Sequence, residues 1–266
     1  MHKLSPRQQA ILNRVVEAHI ETALPVPPLS ITALYRDLYH DSYSPATVRN
    51  EMGFLEEKGY LTHPHTSAGR VPTDRGYRYY VDYGLRQENL PDNLFASVKA
   101  GVLQSGDETE QLTEKISQLL STFLKEVIIF ISPAAPGSNA NAEPLRLRWM
   151  IKGVSHILEK PEFQNLEKVK ALFQALEEKI QLGQWLMNRQ QNHRDVLVSI
   201  GQENQPESLH DCAVVSTSYF SKNQGVGILA VIGPKRMKYS WAIPLVLEMG
   251  KVISHAFKFF DSNEDR

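Results

Sequence analysis

The sequence predicts an α+β protein in two parts: a helical N-terminal part ending in a short β-ribbon, then a mixed part closed by an antiparallel sheet. Three observations carry this reading. Capped, apolar-periodic segments crowd the beginning of the chain; a strand–turn–strand pattern follows at 60–72; β-branched runs bounded by turns fill the last third. At ~150 residues per domain, 266 residues make about two domains. Such a chain buries roughly 70–75% of its unfolded surface, so it needs neither disulfide nor metal to fold.

The stretch Leu4–Thr22 holds the first helix. Ser5 is its cap, Pro6 stands in the first turn and Gln8 completes a capping box. Ile11, Leu12, Val15, Val16, His19 and Ile20 then repeat at three-and-four spacing and make one buried face. The breaker run Leu24-Pro25-Val26-Pro27-Pro28 forbids helix. Ser30 is the expected cap of a second helix that turns Ile31, Leu34 and Leu38 inward.

Asp41-Ser42-Tyr43-Ser44-Pro45 is a turn feeding a third helix, with Ser44 as cap and Pro45 at its first position. Val48, Met52 and Leu55 line one face; Thr47, Arg49, Asn50 and Gly53 lie away from it, and Gly59 is the expected stop. Three short helices, the last two closely joined, have helix-turn-helix spacing. Tyr60-Leu61-Thr62 reads as a strand, and the turn-rich His63–Pro72 segment places Arg70 near the apex or return of a wing. Thr73 caps a fourth helix, Asp74–Leu85, with Tyr77, Tyr80, Val81 and Leu85 on one side.

Beyond Glu88 the texture changes. Leu112–Val127 is an amphipathic helix running into the strand Val127–Ile131. Ser132–Pro144 is small, polar and breaker-rich, and reads as a flexible linker or loop. Helical patterns resume at Leu145–Leu158 and Pro161–Ile180; Val196–Ile200, Cys212–Phe220 and Gly225–Ile232 are the sheet strands, and Tyr239–Phe260 is a closing helix. The expected domains are 1–88 and 100–262, with the loop at 132–144 inside the second.

Composition excludes more than it assigns. With 42% hydrophobic and 22% charged residues the chain is not wholly disordered. No apolar run exceeds five residues, against the ~20 that a membrane helix needs. The opening MHKLSPRQQ has no apolar core, so no secretory signal is expected. Cys212, the one cysteine, cannot close an internal disulfide, which fits a reducing cytoplasm. Twenty-nine basic against 30 acidic residues name no partner, so a nucleic-acid surface has to come from local placement.

The third helix is where that placement occurs. A helix fits the major groove, where Asn pairs with adenine and Arg with guanine, and Thr47, Arg49 and Asn50 stand near the helix start. A solvated helix face is the bland alternative. The wing favours DNA: five basic residues (Lys58, Arg70, Arg75, Arg78, Arg86) oppose only Asp74 and Asp82, which suits phosphate contact. The candidate DNA-binding residues are therefore Ser44, Thr47, Arg49, Asn50, His65, Arg70, Arg75 and Arg78.

Tyr77, Tyr79, Tyr80 and Tyr83 could stack single-stranded bases, but their helical spacing favours a core or a subunit interface. His63 and His65 lack a third ligand nearby, so no metal is expected; a wing histidine on phosphate reads as well. His210-Asp211-Cys212 starts a strand, and no phosphate loop, nucleophile elbow or paired-Cys motif occurs. Neither an enzyme nor a cofactor is expected.

The stretch SPATVRNEMGFLEEKGYLTHPHTSAGRVPTDRGYRYYVD (Ser44–Asp82) resembles the signature of the HrcA family of bacterial heat-inducible transcription repressors. Leu4–Thr22 resembles the family's opening helix, Gly153–Lys179 its later helical region and Ser208–Tyr239 its closing sheet, together about two-thirds of the chain. The resemblance implies a cytoplasmic homodimer whose winged helix-turn-helix domains bind an inverted-repeat operator of chaperone operons. It implies a GAF-like α+β second domain and modulation by the chaperonin GroEL, which keeps the repressor in its active fold until heat-unfolded proteins occupy it. Two features depart from the family. Pro27-Pro28-Leu29 replaces a Gly-Ser pair before the second helix, and the short chain leaves the inserted dimerising domain missing or reduced. The alternatives are a winged-helix repressor with a metabolite-sensing second domain, and a chaperonin-binding protein that does not bind DNA.

Overall fold

The computed structural model describes residues 4–32, 43–64, 69–86, 109–133, 147–190, 195–221 and 225–263. The chain divides into two compact units, one made of Met1–Arg86 with Lys235–Tyr239 and the other of Gln87–Pro234 with Ser240–Arg266.

In the first unit, α1 (Pro6–Thr22) begins in the expected capping box: Ser5 Oγ accepts from the Gln8 amide, and the Gln8 side chain accepts from the Ser5 amide. Ile11, Leu12, Val15 and Val16 are buried. Ala23, in the left-handed region at φ 58°, ends the helix. Val26 then pairs with Arg70 in an isolated antiparallel bridge. The next helix, α2, is described over 28–32. It opens on Pro28, and the Ser30 amide donates to the Pro27 carbonyl, so Ser30 lies inside the first turn and is not the cap. Proline is tolerated in that turn because its missing N–H would have no helical partner there. The expected Leu34 and Leu38 of this helix lie outside the described residues.

Ser44 caps α3 (Pro45–Glu57), and Gly59 at φ 74° stops the chain from continuing it. β1 (Leu61–Thr62) and β2 (Val71–Pro72) pair antiparallel, Leu61 opposite Pro72 and Thr62 opposite Val71. Thr73 caps α4 (Asp74–Tyr79) through its Oγ1. The expected regular helix to Leu85 is not regular: it widens into a π-type turn over Tyr80–Gly84. Tyr77, Tyr79 and Tyr80 are all buried there. Tyr79 accepts from Gln9 Nε2 at 2.6 Å, and Tyr77 Oη lies 2.6 Å from His19 Nδ1. These tyrosines therefore hold α1 and form core, while Tyr83 is exposed.

A late segment completes this unit. Lys235 pairs with Asp74 at 2.7 Å, Arg236 Nη1 donates to the Ile20 carbonyl at the end of α1, and Met237 and Tyr239 are buried.

In the second unit, α5 (Thr109–Leu124) leads into β3 (Val127–Pro133), which pairs antiparallel with β4 (Leu147–Lys152). This corrects two expectations. Ser132 and Pro133 are ladder residues of β3, opposite Arg148 and Leu147, so the segment read as a linker begins inside a strand; its remainder lies outside the described residues. Leu145–Leu158 is not a helix. Leu147, Trp149 and Ile151 alternate along β4 and pack on the core, before the short helix α6 (Val154–Leu158).

The expected single helix Pro161–Ile180 is also broken. A 3₁₀ turn at Pro161–Gln164 precedes α7 (Leu166–Glu177), and the chain restarts at Lys179 as α8 (Lys179–Gln190). β5 (Leu197–Ile200), β6 (Cys212–Ser221) and β7 (Gly225–Pro234) complete a sheet of order β4-β3-β7-β6-β5, every neighbour antiparallel. α9 (Tyr239–Asn263) closes the chain.

Both faces of this sheet are covered. Val127, Ile129, Ile131, Val214, Ile228, Ala230 and Ile232 meet Leu172, Leu176, Leu182, Trp185 and Leu186 of α7 and α8. On the other face α5 and α9 stack through Phe123 and Trp241, and Tyr219 packs on Phe130 and Phe257. Burial pushes the Tyr219 phenol up to about 12. Cys212 is buried.

Candidate nucleic-acid interface

The sequence of α3 separates its two sides. Val48, Met52 and Leu55 are fully buried and fix which side faces inward. Ala46, Arg49, Asn50 and Glu57 are exposed on the other. Among the described residues neither the Arg49 nor the Asn50 side chain makes a hydrogen bond or an ion pair. Both stand in the first two turns of a capped helix, with their polar groups available to an outside partner.

Ser44 is spoken for. Its Oγ accepts from the Thr47 amide at 3.1 Å and lies 2.9 Å from Thr47 Oγ1, so Ser44 and Thr47 together close the helix start. Both remain near enough to the surface for a hydroxyl to reach a phosphate, Ser44 being exposed and Thr47 half-buried.

The basic residues of the β1–β2 ribbon and α4 are placed differently. The Arg70 guanidinium donates to Glu56 Oε2 at 3.1 Å, and its side chain is 12% exposed. Its backbone is also held, through both hydrogen bonds of the bridge to Val26. Arg75 donates to the Lys58 carbonyl at 3.0 Å and stacks 4.5 Å over the Tyr60 ring, so it closes the C-terminal end of α3. Arg78 pairs with Asp82 one turn on, at 3.1 Å. Lys58 lies over Phe54. His65 lies outside the described residues.

The structure therefore gathers Ser44, Thr47, Arg49 and Asn50 at one end of α3 and sets Arg70, Arg75 and Arg78 into the scaffold around it. Sequence reasoning missed Glu56 and His63 as partners of this scaffold; no local spacing announces a contact between a helix and the two arms of a ribbon. Among the described residues, no group of three His, Cys, Asp or Glu is placed to hold a metal, and no helix is long and apolar enough to cross a membrane.

Comparison with known proteins identifies the family. The model of the HrcA protein C-terminal domain matches residues 92–243, more than half of the chain. This chain belongs to the HrcA family. The heat-inducible transcription repressor HrcA of Shouchella clausii is 29% identical over 350 aligned positions, covering 97% of this chain and 99% of that protein. The HrcA of Carboxydothermus hydrogenoformans is 27% identical, with 94% and 97% covered. The 350 positions exceed this chain's 266 residues, so the Shouchella repressor has segments without a counterpart here. The fold is shared with the crystal structure of a hypothetical protein at a TM-score of 0.73, 19% identical, covering 97% of this chain and all of that one. The function carried by the HrcA family is heat-inducible repression of transcription.

Proposed function

We propose that this HrcA-family repressor holds its operator with the first unit acting as a winged helix-turn-helix. α3 is the recognition helix and the β1–β2 ribbon is the wing. The observation that carries the reading is the exposed, unpartnered pair Arg49 and Asn50 on a helix whose opposite face is buried. Asn50 offers a donor and an acceptor to an adenine edge, and Arg49 offers a donor fork to guanine or to a phosphate. Ser44 and Thr47 contact the phosphate beside the helix start, where the N-terminal peptide dipoles favour an anion. Arg75 and Arg78 contribute positive potential around the helix, and His65 contributes a wing contact to phosphate.

The operator is an inverted repeat, read by a homodimer in the cytoplasm, and the genes are chaperone operons. The second unit is a GAF-like regulatory domain, and the family resemblance supplies its control: GroEL maintains the active fold and withdraws when heat-unfolded proteins occupy it. Because stability margins are small, a change of about 1–2 kcal/mol moves the active fraction several-fold.

The test is a gel-shift titration on an inverted-repeat duplex from a chaperonin promoter, with and without GroEL. Salt-sensitive binding that prefers the repeat over a scrambled duplex, and that GroEL improves, is the expected result. Binding that GroEL leaves unchanged would remove the chaperonin from the account. Equal binding to both duplexes would remove the operator.

A further inference from the structure

A carboxylate stands at the root of the wing. Glu56, in the last turn of α3, gives one oxygen to each arm of the ribbon. Its Oε1 meets Nδ1 of His63, the residue after β1. Its Oε2 accepts from Nε of Arg70, the residue before β2, at 3.1 Å. The helix does not need Glu56 for its own packing, since Val48, Met52 and Leu55 supply the buried face and the Glu56 side chain is 32% exposed.

Arg70 is the deeper partner. Its Nη2 lies 4.0 Å from where a Cβ on Gly53 would stand, so the guanidinium crosses α3 between Gly53 and Glu56. Its backbone N–H and C=O both pair with Val26, at 3.0 and 2.9 Å. An added Cβ on the preceding Gly69 would stand 2.4 Å from the Val26 carbonyl carbon, so the two backbones lie close together here. The ribbon is thereby fixed to α3 through side chains at both arms and to the α1–α2 connection through backbone at one.

We propose that Glu56 is a positioning residue for operator binding, clamping both arms of the ribbon so that wing and recognition helix meet a duplex in one fixed relation. The inference rests on α3 being the base-reading helix. Pre-organisation of this kind lowers the ordering cost of a specific complex. Loose, non-specific association through phosphates requires no fixed register and gains little from it. Arg70 accordingly serves the operator through Glu56, with its own guanidinium turned onto the helix.

The experiment measures the affinity of the full chain for an operator duplex and for a scrambled duplex of equal length, with thermal melting in parallel. Glu56→Gln is expected to lower the operator-to-scrambled ratio roughly tenfold, within the range of contact couplings. Arg70→Lys, which keeps the charge and loses the guanidinium geometry, is expected to match it. His63→Ala, releasing one arm, is expected to lose less. The exchanged pair Glu56→Arg with Arg70→Glu is expected to regain part of the ratio, which a direct phosphate contact by Arg70 would not allow. Tighter binding of Glu56→Gln to both duplexes would overturn the proposal, because the carboxylate would then be masking Arg70 from phosphate. An unchanged ratio, or equal loss on both duplexes, would overturn it too. Asn50→Ala separates this from failure of the recognition-helix reading: if it too leaves the ratio unchanged, that reading has failed, whereas if only Glu56→Gln does, the clamp alone has failed.

Discussion

The outer face of α3 and the strip formed by the β1–β2 ribbon and α4 carry similar side chains to opposite ends. Arg49 and Asn50 project from α3 with no partner among the described residues, while Arg70, Arg75 and Arg78 are each held, by Glu56, by the Lys58 carbonyl and Tyr60, and by Asp82. An arginine engaged with its own chain must give up that contact, or share it, before it can serve a ligand. An unpaired one on a rigid helix has nothing to give up. Density of basic residues along the sequence therefore overstates how many are available on the ribbon and understates those on α3. Gly53 sharpens the contrast. It sits inside α3, where glycine costs about 1 kcal/mol relative to alanine. Yet among the described residues a Cβ there would meet nothing nearer than Arg70 Nη2 at 4.0 Å. No contact among the described residues calls for glycine here, whereas the proposed close approach of a duplex would.

The largest expected effect is on the helix face. Asn50→Ala and Arg49→Ala should each cost about 1–3 kcal/mol in operator binding, measured by titration. Their melting temperatures should stay near wild type, since exposed substitutions usually move stability by less than ~0.5 kcal/mol. Loss of folding in either variant would erase the distinction between the two regions.

Arg75→Ala should do the reverse. Losing a hydrogen bond to a helix-end carbonyl and a cation–π stack should lower stability by about 1–2 kcal/mol, read by chemical denaturation. Any loss of affinity should be shared by operator and scrambled DNA.

Ser44 tests whether a residue can belong to both regions. Ser44→Ala should destabilise by about 1 kcal/mol through the lost cap. Ser44→Asp keeps the cap and adds a negative charge, so it should fold like wild type and bind all DNA more weakly if a phosphate lies there. Unchanged binding by Ser44→Asp would confine Ser44 to capping.

The smallest effect in stability is a gain. Gly53→Ala should raise the denaturation free energy by about 0.5–1 kcal/mol while weakening operator binding, from the same two measurements. Stability rising with affinity unchanged would show that the duplex does not come close at this point.

Much of this was legible in the sequence because the signals are local. Ser5, Ser44 and Thr73 cap where their spacing to the first apolar residue puts them, Gly59 stops α3, and β6 and β7 follow their β-branched runs. What stayed hidden depends on distant chain. Leu147–Lys152 alternates like a strand, yet Arg148 and Lys152 on an edge strand dilute the apolar signal, and only pairing with β3 decides it. The break at Glu178 between α7 and α8 has neither glycine nor proline to mark it. Lys235–Tyr239 joins the first unit through Asp74 and Ile20, which no window of sequence brings together. In the site, the polar side of α3 could be read from periodicity. The engagement of Arg70 and Arg75 could not, because Glu56 and the Lys58 carbonyl reach them across the ribbon.

The proposed division of labour between α3 and the scaffold around it is tested most directly by binding to a set of operators in which each base pair is replaced in turn. The profile of Asn50→Ala is to be compared with those of Arg75→Ala and the unaltered chain. The account predicts that Asn50→Ala flattens discrimination at one position of each half-site. Arg75→Ala should keep the whole profile and shift it uniformly. A uniform shift for Asn50→Ala, or a position-specific loss for Arg75→Ala, would contradict it.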